Sequence, residues 1–528
     1  MKHTNPSLVI LLCCICAACT KAPQIDRNSI IDAYAEEFNS NDEEIYIQKF
    51  PNTEAAEFMK ANIPVFECPD AELEKTYYFR WWTYRKHIKE TPNGYIITEF
   101  RPDVPWAGLY NAIPCPGVHH FEEGRWLRDT RYLDSYARYW FLDGAAPRAY
   151  SFPIATAFLD YASVTGNKDL LIEQYDNLKA NYAAWEADHL GPDGLFWQMD
   201  DRDGMEFSIS GSYSDDWTGY RPTINSYMYA DAMAIAAIAN IQDKADEEAE
   251  YIDKANRIKE LMDKYLWDEE DEFYKVIVRN PKPEFADMKR CPAREETGYI
   301  PWVYGIPDAD KSQAWLQLLD TAGFKAPYGP TTAEQRAEGF METDPSCCTW
   351  NGLSWPYSTC QTLTGLANQI RRFGSGNPVT KEDYLEALNI YSNSHRLKRE
   401  DGRTVCWIDE NLDPYTGEWY ARNELLSRDD YPYYERGKDY NHSSFCDLVI
   451  SGLMGIQPGI DGSVTVEPLV PEGLWDWFCL EGIVCQGNEI TVIYDKTGRR
   501  YGCGKGFFIF KNGRKAFHSN SYAVKASI

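Results

Sequence analysis

Two acidic residues, Glu410 and Glu206, stand where their neighbours could support chemistry. Glu410 lies in Trp407-Ile408-Asp409-Glu410-Asn411-Leu412-Asp413-Pro414-Tyr415-Thr416-Gly417-Glu418-Trp419, between two tryptophans and just ahead of a turn-forming run. Turn residues of this kind fix a loop without regular structure. An aromatic wall such as Trp407 beside a fixed acid suits a sugar ring, whose apolar face stacks while its hydroxyls take hydrogen bonds. The same stretch reads equally as a surface turn with an ordinary exposed glutamate, so a second carboxylate has to decide. Glu206 falls in Asp203-Gly204-Met205-Glu206-Phe207-Ser208, in a loop between predicted helices. Beside Met205 and Phe207 a carboxyl loses solvation, which raises its pKa and suits a proton donor. Glu206 or Asp216 could equally serve only to cap a helix or to pair with Arg221.

Helical segments must position these loops. Residues 54 to about 89 read as one helix, with aromatics on every face through Tyr77-Tyr78-Phe79-Arg80-Trp81-Trp82, which implies burial on most sides. Helices then arrive in pairs: 129–141, 152–165, 169–189, 222–241, 243–267, 311–322, 355–373 and 380–397. The 222–241 segment is crowded with alanine, and Pro222 suits its first turn. The next is different, with Ala249, Ile252, Ala255, Ile258, Met262 and Tyr265 forming one apolar stripe. A buried helix followed by an amphipathic one implies an inner ring covered by an outer ring. The long loops between, dense in Gly, Trp, Tyr and acids, would then open at one end. After Gly459 the text turns to alternating or β-branched runs, Val464–Val466, Ile490–Tyr494 and Phe507–Phe510, separated by turn signals. The fold class expected is mainly α, an (α/α)6 toroid with a small C-terminal antiparallel β domain. The expected divisions are 1–19, a leader; 20–110, a tether with a helical and irregular segment; 111–459, the catalytic toroid; and 460–528, the β domain.

Acidic residues outnumber basic ones, 81 to 53, for a net charge of −28, which excludes nucleic acid as a natural partner. A strongly anionic substrate would need local arginines against the same field. A basic start, an apolar run from Leu8 to Cys16 and Ala17-Ala18-Cys19 resemble a bacterial lipoprotein signal, with Cys19 lipidated. That resemblance implies an exported lipoprotein of the periplasm or outer membrane, touching the membrane through its lipid alone. Eleven cysteines follow Cys19; their spacing fits no zinc pattern, and buried free thiols are expected for most of them. No metal and no cofactor is expected.

Three motifs in order carry a further resemblance. Gly204-Met205-Glu206-Phe207-Ser208 looks like the acid loop of the six-hairpin toroid glycosidases related to mannosylglycerate hydrolase, trehalase and processing α-glucosidase. Trp350-Asn351-Gly352-Leu353-Ser354-Trp355 is similar to their Trp-x-Gly-x-x-Trp motif, which lines the sugar subsite. Glu410 with Asp413-Pro414-Tyr415-Thr416-Gly417 resembles their general-base motif. Asn441-His442-Ser443-Ser444 then stands where a last inner helix begins. The departure is Glu206 where the family has Asp, which keeps Asp215 and Asp216 as rivals for the acid.

The resemblance implies an exo-acting, inverting glycoside hydrolase of α-linked glycans. Glu206 would protonate the leaving oxygen while Glu410 deprotonates a water, across roughly 6.5–9.5 Å. Candidate sugar contacts are Arg125, Trp126, Asp129, Arg221, Asn225, Trp350, Asn351, Trp355 and Trp407. The partner implied is an oligosaccharide or polysaccharide, handled by a monomer. Two other readings stay open: a glycan-binding lipoprotein without catalysis, and a toroid phosphorylase, which would lack the base.

Overall fold

The computed structural model of the chain describes residues 22, 25–342, 348–374, 376–428 and 435–528; Cys19 and the rest of the leader lie outside them. Helices α1 (Arg27–Ser40) and α2 (Ala55–Asn62) pack on α3 (Ala71–Lys86). Asp70 caps α3 by accepting from the Leu73 amide, and every residue from Thr76 to Lys86 is buried. This accounts for its aromatics on all faces, since α1 and α2 cover one side and the ring covers the other. The single helix expected from 54 to 89 does not form. Pro64 lacks an N–H and forces the preceding Ile63 into an extended conformation, so α2 ends there. Val65–Glu67 becomes a strand instead.

The chain continues through α4 (Gly117–Gly124), α5 (Arg131–Tyr139), α6 (Ile154–Thr165), α7 (Lys168–His189), the single turn α8 (Ile209–Ser212), α9 (Pro222–Ile241) and α10 (Ala245–Leu261). It ends its helical part with α11 (Ile300–Val303), α12 (Leu316–Leu319), α13 (Pro356–Phe373), α14 (Lys381–Ser394), α15 (Tyr420–Leu426) and α16 (Phe445–Asp447). Six helices close a ring. α4 packs on α6, α6 on α9, α9 on α11, α11 on α13, α13 on the Leu448–Leu453 extension of α16, and α16 on α4. α7 and α10 lie against α9, and α14 against α13, as an outer layer. This is the mainly α toroid expected from the sequence.

Local chemistry sets many of the boundaries. Pro222 opens α9, Thr380 and Asp383 form a capping box on α14, and Gly166 in the left-handed region ends α6. The helix expected over 311–322 is mostly a 3-10 segment, Ala309–Trp315, followed by the short α12. There the chain folds back, and Phe324 donates its amide to the Gln317 carbonyl at 2.9 Å. The C-terminal β region is a five-stranded antiparallel sheet in the order Val65–Glu67, Trp477–Cys485, Asn488–Asp495, Gly506–Lys511, Arg514–Ser519. Its first strand comes from the N-terminal segment, with Val65 opposite Glu481 and Glu67 opposite Cys479. Cys68, Cys115, Cys291, Cys360, Cys446, Cys479 and Cys485 are buried, unbridged thiols.

Candidate active site

Loops that precede the inner helices converge on a cavity of about 280 Å³. Ile113 and Cys115 come from before α4, Tyr150 from before α6, and Gly204 and Glu206 from before α9. Cys348, Trp350 and Trp355 come from before α13, and Glu410, Arg436 and Tyr440 from before α16. Glu99, Phe100 and Trp106 complete the lining. Two residues separated by about two hundred positions in the chain, Glu206 and Glu410, therefore share one aromatic-walled space.

The Glu206 loop is tightly fixed. Asp200, buried beneath it, accepts from the Asp201 amide at 2.7 Å and the Ser208 hydroxyl at 3.1 Å, while its own carbonyl takes the Met205 amide at 2.7 Å. Gly204 sits at φ 76°, where a Cβ would come within 2.9 Å of Cys115 Sγ and 3.1 Å of the Trp355 ring. Only glycine meets both conditions. Phe207 follows at φ 57° and Trp217 at φ 60°, with their rings edge-on at 5.8 Å. Such backbone conformations cost bulky residues about 1–3 kcal/mol each and persist where surrounding structure holds them. Trp350 then grips the acid, its indole N–H donating to Glu206 Oε2 at 2.9 Å and its amide to the Glu206 carbonyl at 3.0 Å. Burial, reinforced by the charge on Glu410, pushes the Glu206 carboxyl up to about 8 against the opposing pull of the Trp350 hydrogen bond. Its proton is therefore retained at neutral pH.

Glu410 is held differently. Arg436 donates to Oε2 at 2.8 Å and the Cys348 thiol donates to Oε1 at 3.0 Å, with Glu410 only 4% exposed. Asp409 accepts the Glu410 amide at 2.9 Å. Ser354 and Leu412 exchange backbone hydrogen bonds at 3.0 and 3.1 Å, which ties the Glu410 loop to the Trp350 loop. The expected turn is present, Asp413 Oδ1 accepting from the Tyr415 and Thr416 amides and Gly417 lying at φ 74°. Arg436 itself lies over the rings of Phe100 and Trp106 at 5.6 and 5.2 Å.

Of the residues proposed from the sequence, Glu206, Glu410, Trp350 and Trp355 come together, the two indoles stacked at 4.2 Å. The others go elsewhere. Arg125 pairs with Asp447 at 2.8 Å and Trp126 donates to the same carboxylate at 2.6 Å, at the far end of α4 from the cavity. Asp129 pairs with Arg131 in a separate surface cleft. α4 runs between them and the cavity, which their residue types do not reveal. Arg221 is buried on Asp203 at 2.8 Å, and Asn225 bonds both backbone groups of Phe196 at 2.8 Å, so both brace the acid loop. Asn351 is buried, its carbonyl taking the Met341 amide. Trp407 lines a different cleft beneath Arg422, and Trp419 donates to the Arg396 carbonyl; neither forms the wall expected beside Glu410. Asp216 accepts from Ser214, Thr218 and Asn280, which keeps it well ionised and outside the cavity lining, and Asp215 is likewise not in it.

Glu99, Tyr440, Arg436 and Cys348 escaped the sequence reading. Cys348 is two residues from Trp350 and Tyr440 directly precedes Asn441-His442, so proximity to a motif was a usable signal for both. Glu99 and Arg436 carry none. The Arg436 loop is locked by buried charge, Lys86 bonding Asp42 and Asp439 at 2.8 and 2.7 Å. Lys438 also pairs with Asp42.

The chain is similar over 95% of its length to a structure named Sialidase, at 37% identity and a TM-score of 0.86. It spans only 44% of that protein. A GH63 mannosylglycerate hydrolase from Thermus thermophilus, in complex with glucose, shares the fold at 12% identity and a TM-score of 0.51, over 71% of this chain and 99% of that one. A GH78 family rhamnosidase of Bacillus sp. GL1 does so at 14% and 0.52, over 82% and 40%. Residues 109–443, more than half of the chain, match the mannosylglycerate hydrolase MGH1-like glycoside hydrolase domain, so the chain belongs to that family and is a glycoside hydrolase of the six-hairpin toroid type.

Proposed function

We propose that this protein is an exported, exo-acting glycosidase that inverts the anomeric centre of an α-linked glycan, with Glu206 as general acid and Glu410 as general base. One observation carries the reading: two carboxyls from distant loops enter one cavity, each held by its own partners. Glu206, raised by burial, keeps a proton to give to the leaving oxygen. Glu410, held by the Arg436 guanidinium at 2.8 Å, is the carboxyl placed to accept a proton from water. The stacked Trp350 and Trp355 supply a face for the apolar side of a sugar. The phosphorylase alternative needs no base and leaves Glu410 unexplained, and a purely binding protein needs no two carboxyls brought from separate loops into one cavity.

Export rests on the Met1–Cys19 leader, with Cys19 carrying the lipid and placing the enzyme in the periplasm or at the outer membrane. Radiolabelled palmitate should enter the wild-type protein and not Cys19→Ala. A screen of 4-nitrophenyl glycosides, followed by NMR of the first-formed sugar anomer, tests the chemistry. Inversion supports the assignment and retention contradicts it. Glu206→Gln and Glu410→Gln should each lose about 10²–10⁴-fold in kcat on an oligosaccharide.

A further inference from the structure

The two-acid reaction leaves a third carboxyl in the cavity without a task. Glu99 is 6% exposed and lines the same space as Glu206 and Glu410. Its segment is stitched to the loop that follows Arg436: the Asn441 amide donates to the Glu99 carbonyl at 3.3 Å, and Asn441 Nδ2 donates to the Thr98 carbonyl at 3.2 Å. The Tyr440 hydroxyl donates to Glu99 Oε1. Tyr440 is in turn fixed between Phe100, at 4.9 Å between ring centres, and His442, at 3.6 Å. Among the described residues no side chain or amide bonds Glu99 Oε2, so a rigidly held carboxyl that lines the cavity keeps one oxygen uncommitted.

Burying a carboxyl beside two others is unfavourable unless its hydrogen-bonding capacity is used. Among the described residues lining the cavity the cation is Arg436, and Glu410 already occupies it. The lining therefore provides hydrogen-bond partners for hydroxyls and no uncommitted counter-charge for an acidic sugar.

We infer that Glu99 is a specificity-determining residue: its Oε2 bonds a ring hydroxyl of a neutral glycosyl unit whose linkage Glu206 and Glu410 cleave. Tyr440 aims that carboxyl, and sugars bearing a carboxylate are excluded. The inference rests on the proposed acid and base roles but is tested separately from them.

The probes are 4-nitrophenyl α-D-glucoside, α-D-mannoside, α-D-galactoside, α-L-rhamnoside and β-D-glucuronide, with 4-methylumbelliferyl N-acetylneuraminide. The monodeoxy forms of the best neutral glycoside complete the set. Binding of the corresponding free sugars is followed in parallel by isothermal titration, so that the outcome does not depend on turnover. Glu99→Ala should lower kcat/KM on the parent glycoside by about 10²-fold or more, as expected when a polar site loses its hydroxyl contact. On one monodeoxy glycoside, wild type and Glu99→Ala should become equal. Tyr440→Phe should show a smaller loss of the same pattern. If Glu99→Ala does not fold, Glu99→Gln is compared in the same way.

An equal loss on every deoxy form would reduce Glu99 to a structural role and overturn the inference. Faster cleavage of the glucuronide or neuraminide than of any neutral glycoside would overturn it as well, as would a wild-type chain that binds none of the neutral sugars. Full activity of Glu206→Gln or Glu410→Gln on an oligosaccharide would instead remove the acid and base assignment, whatever the deoxy series gives.

Discussion

Trp350 holds Glu206 at both ends, its indole N–H on the carboxyl Oε2 at 2.9 Å and its amide on the carbonyl at 3.0 Å. The residue that offers a face to the sugar thus also aims the acid. The ring stacks on Trp355, so substitution by phenylalanine keeps an aromatic wall while deleting one donor. A hydrogen bond to a carboxylate stabilises the ionised form, and its loss should raise the acid's pKa. Trp350→Phe should lower kcat roughly tenfold, and the alkaline limb of its pH–rate profile should move to higher pH. A limb that stays in place with kcat reduced would show that the indole N–H does not tune the acid.

The wild-type profile itself follows from Glu206. A general acid works only while protonated, and burial pushes this carboxyl up to about 8. kcat/KM should hold through neutrality and fall tenfold per pH unit above about 8. Glu206→Gln should lose that limb. Its deficit should also be smaller on a 2,4-dinitrophenyl glycoside than on an oligosaccharide, because a good leaving group needs little protonation. Equal deficits on both substrates would assign the acid to another group.

Arg436 and Glu410 form a buried pair, 4% and 6% exposed at their side chains. Removing one partner of such a pair strands the other, so Arg436→Ala should cost about 3–5 kcal/mol of stability. Replacing both with apolar or neutral groups of similar size is often close to neutral. Urea denaturation of Arg436→Met, Glu410→Gln and the double variant should therefore show the double recovering most of the loss. Activity should not return with it. An additive double would mean that the two side chains are not energetically coupled.

How much of this was written in the sequence depends on the range of the interactions. The paired helices were legible because Pro222 and the stripe through Ala255 and Ile258 act within a few residues. The Trp350 and Glu410 loops were legible because their turn chemistry is local too. The third wall was not. Glu99 reaches the cavity through Asn441 and Tyr440, more than three hundred positions away, and nothing in Ile97-Thr98-Glu99-Phe100 announces that pairing. The same limit misplaced Arg125, Trp126 and Asp129: their residue types suit a sugar site, but only the course of α4 shows that they lie beyond its far end. Val65–Glu67 was read as helix because its strand partner, Cys479–Glu481, enters hundreds of residues later.

Glu99 also leaves a signature in stability. Its ordinary value is 4.5, and burial, with the nearby charges of Glu410 and Glu206, pushes it to about 8 in the folded chain. Below 4.5 both folded and unfolded chains carry the proton, and its contribution is fully present. Between 4.5 and about 8 the unfolded chain ionises while the folded one does not, so stability is lost as pH rises through that window. At 1.36 kcal/mol per unit this amounts to about 3 kcal/mol by pH 7. Glutamine has no proton to lose and can still accept from Tyr440. Glu99→Gln should therefore match wild type near pH 4.5 and become progressively the more stable of the two toward pH 8 in urea melts. Carboxyls outside the cavity titrate alike in both proteins and cancel in the difference. Parallel curves across that range would show that Glu99 is ionised in the folded enzyme, and that its neighbours supply a counter-charge the cavity lining does not reveal.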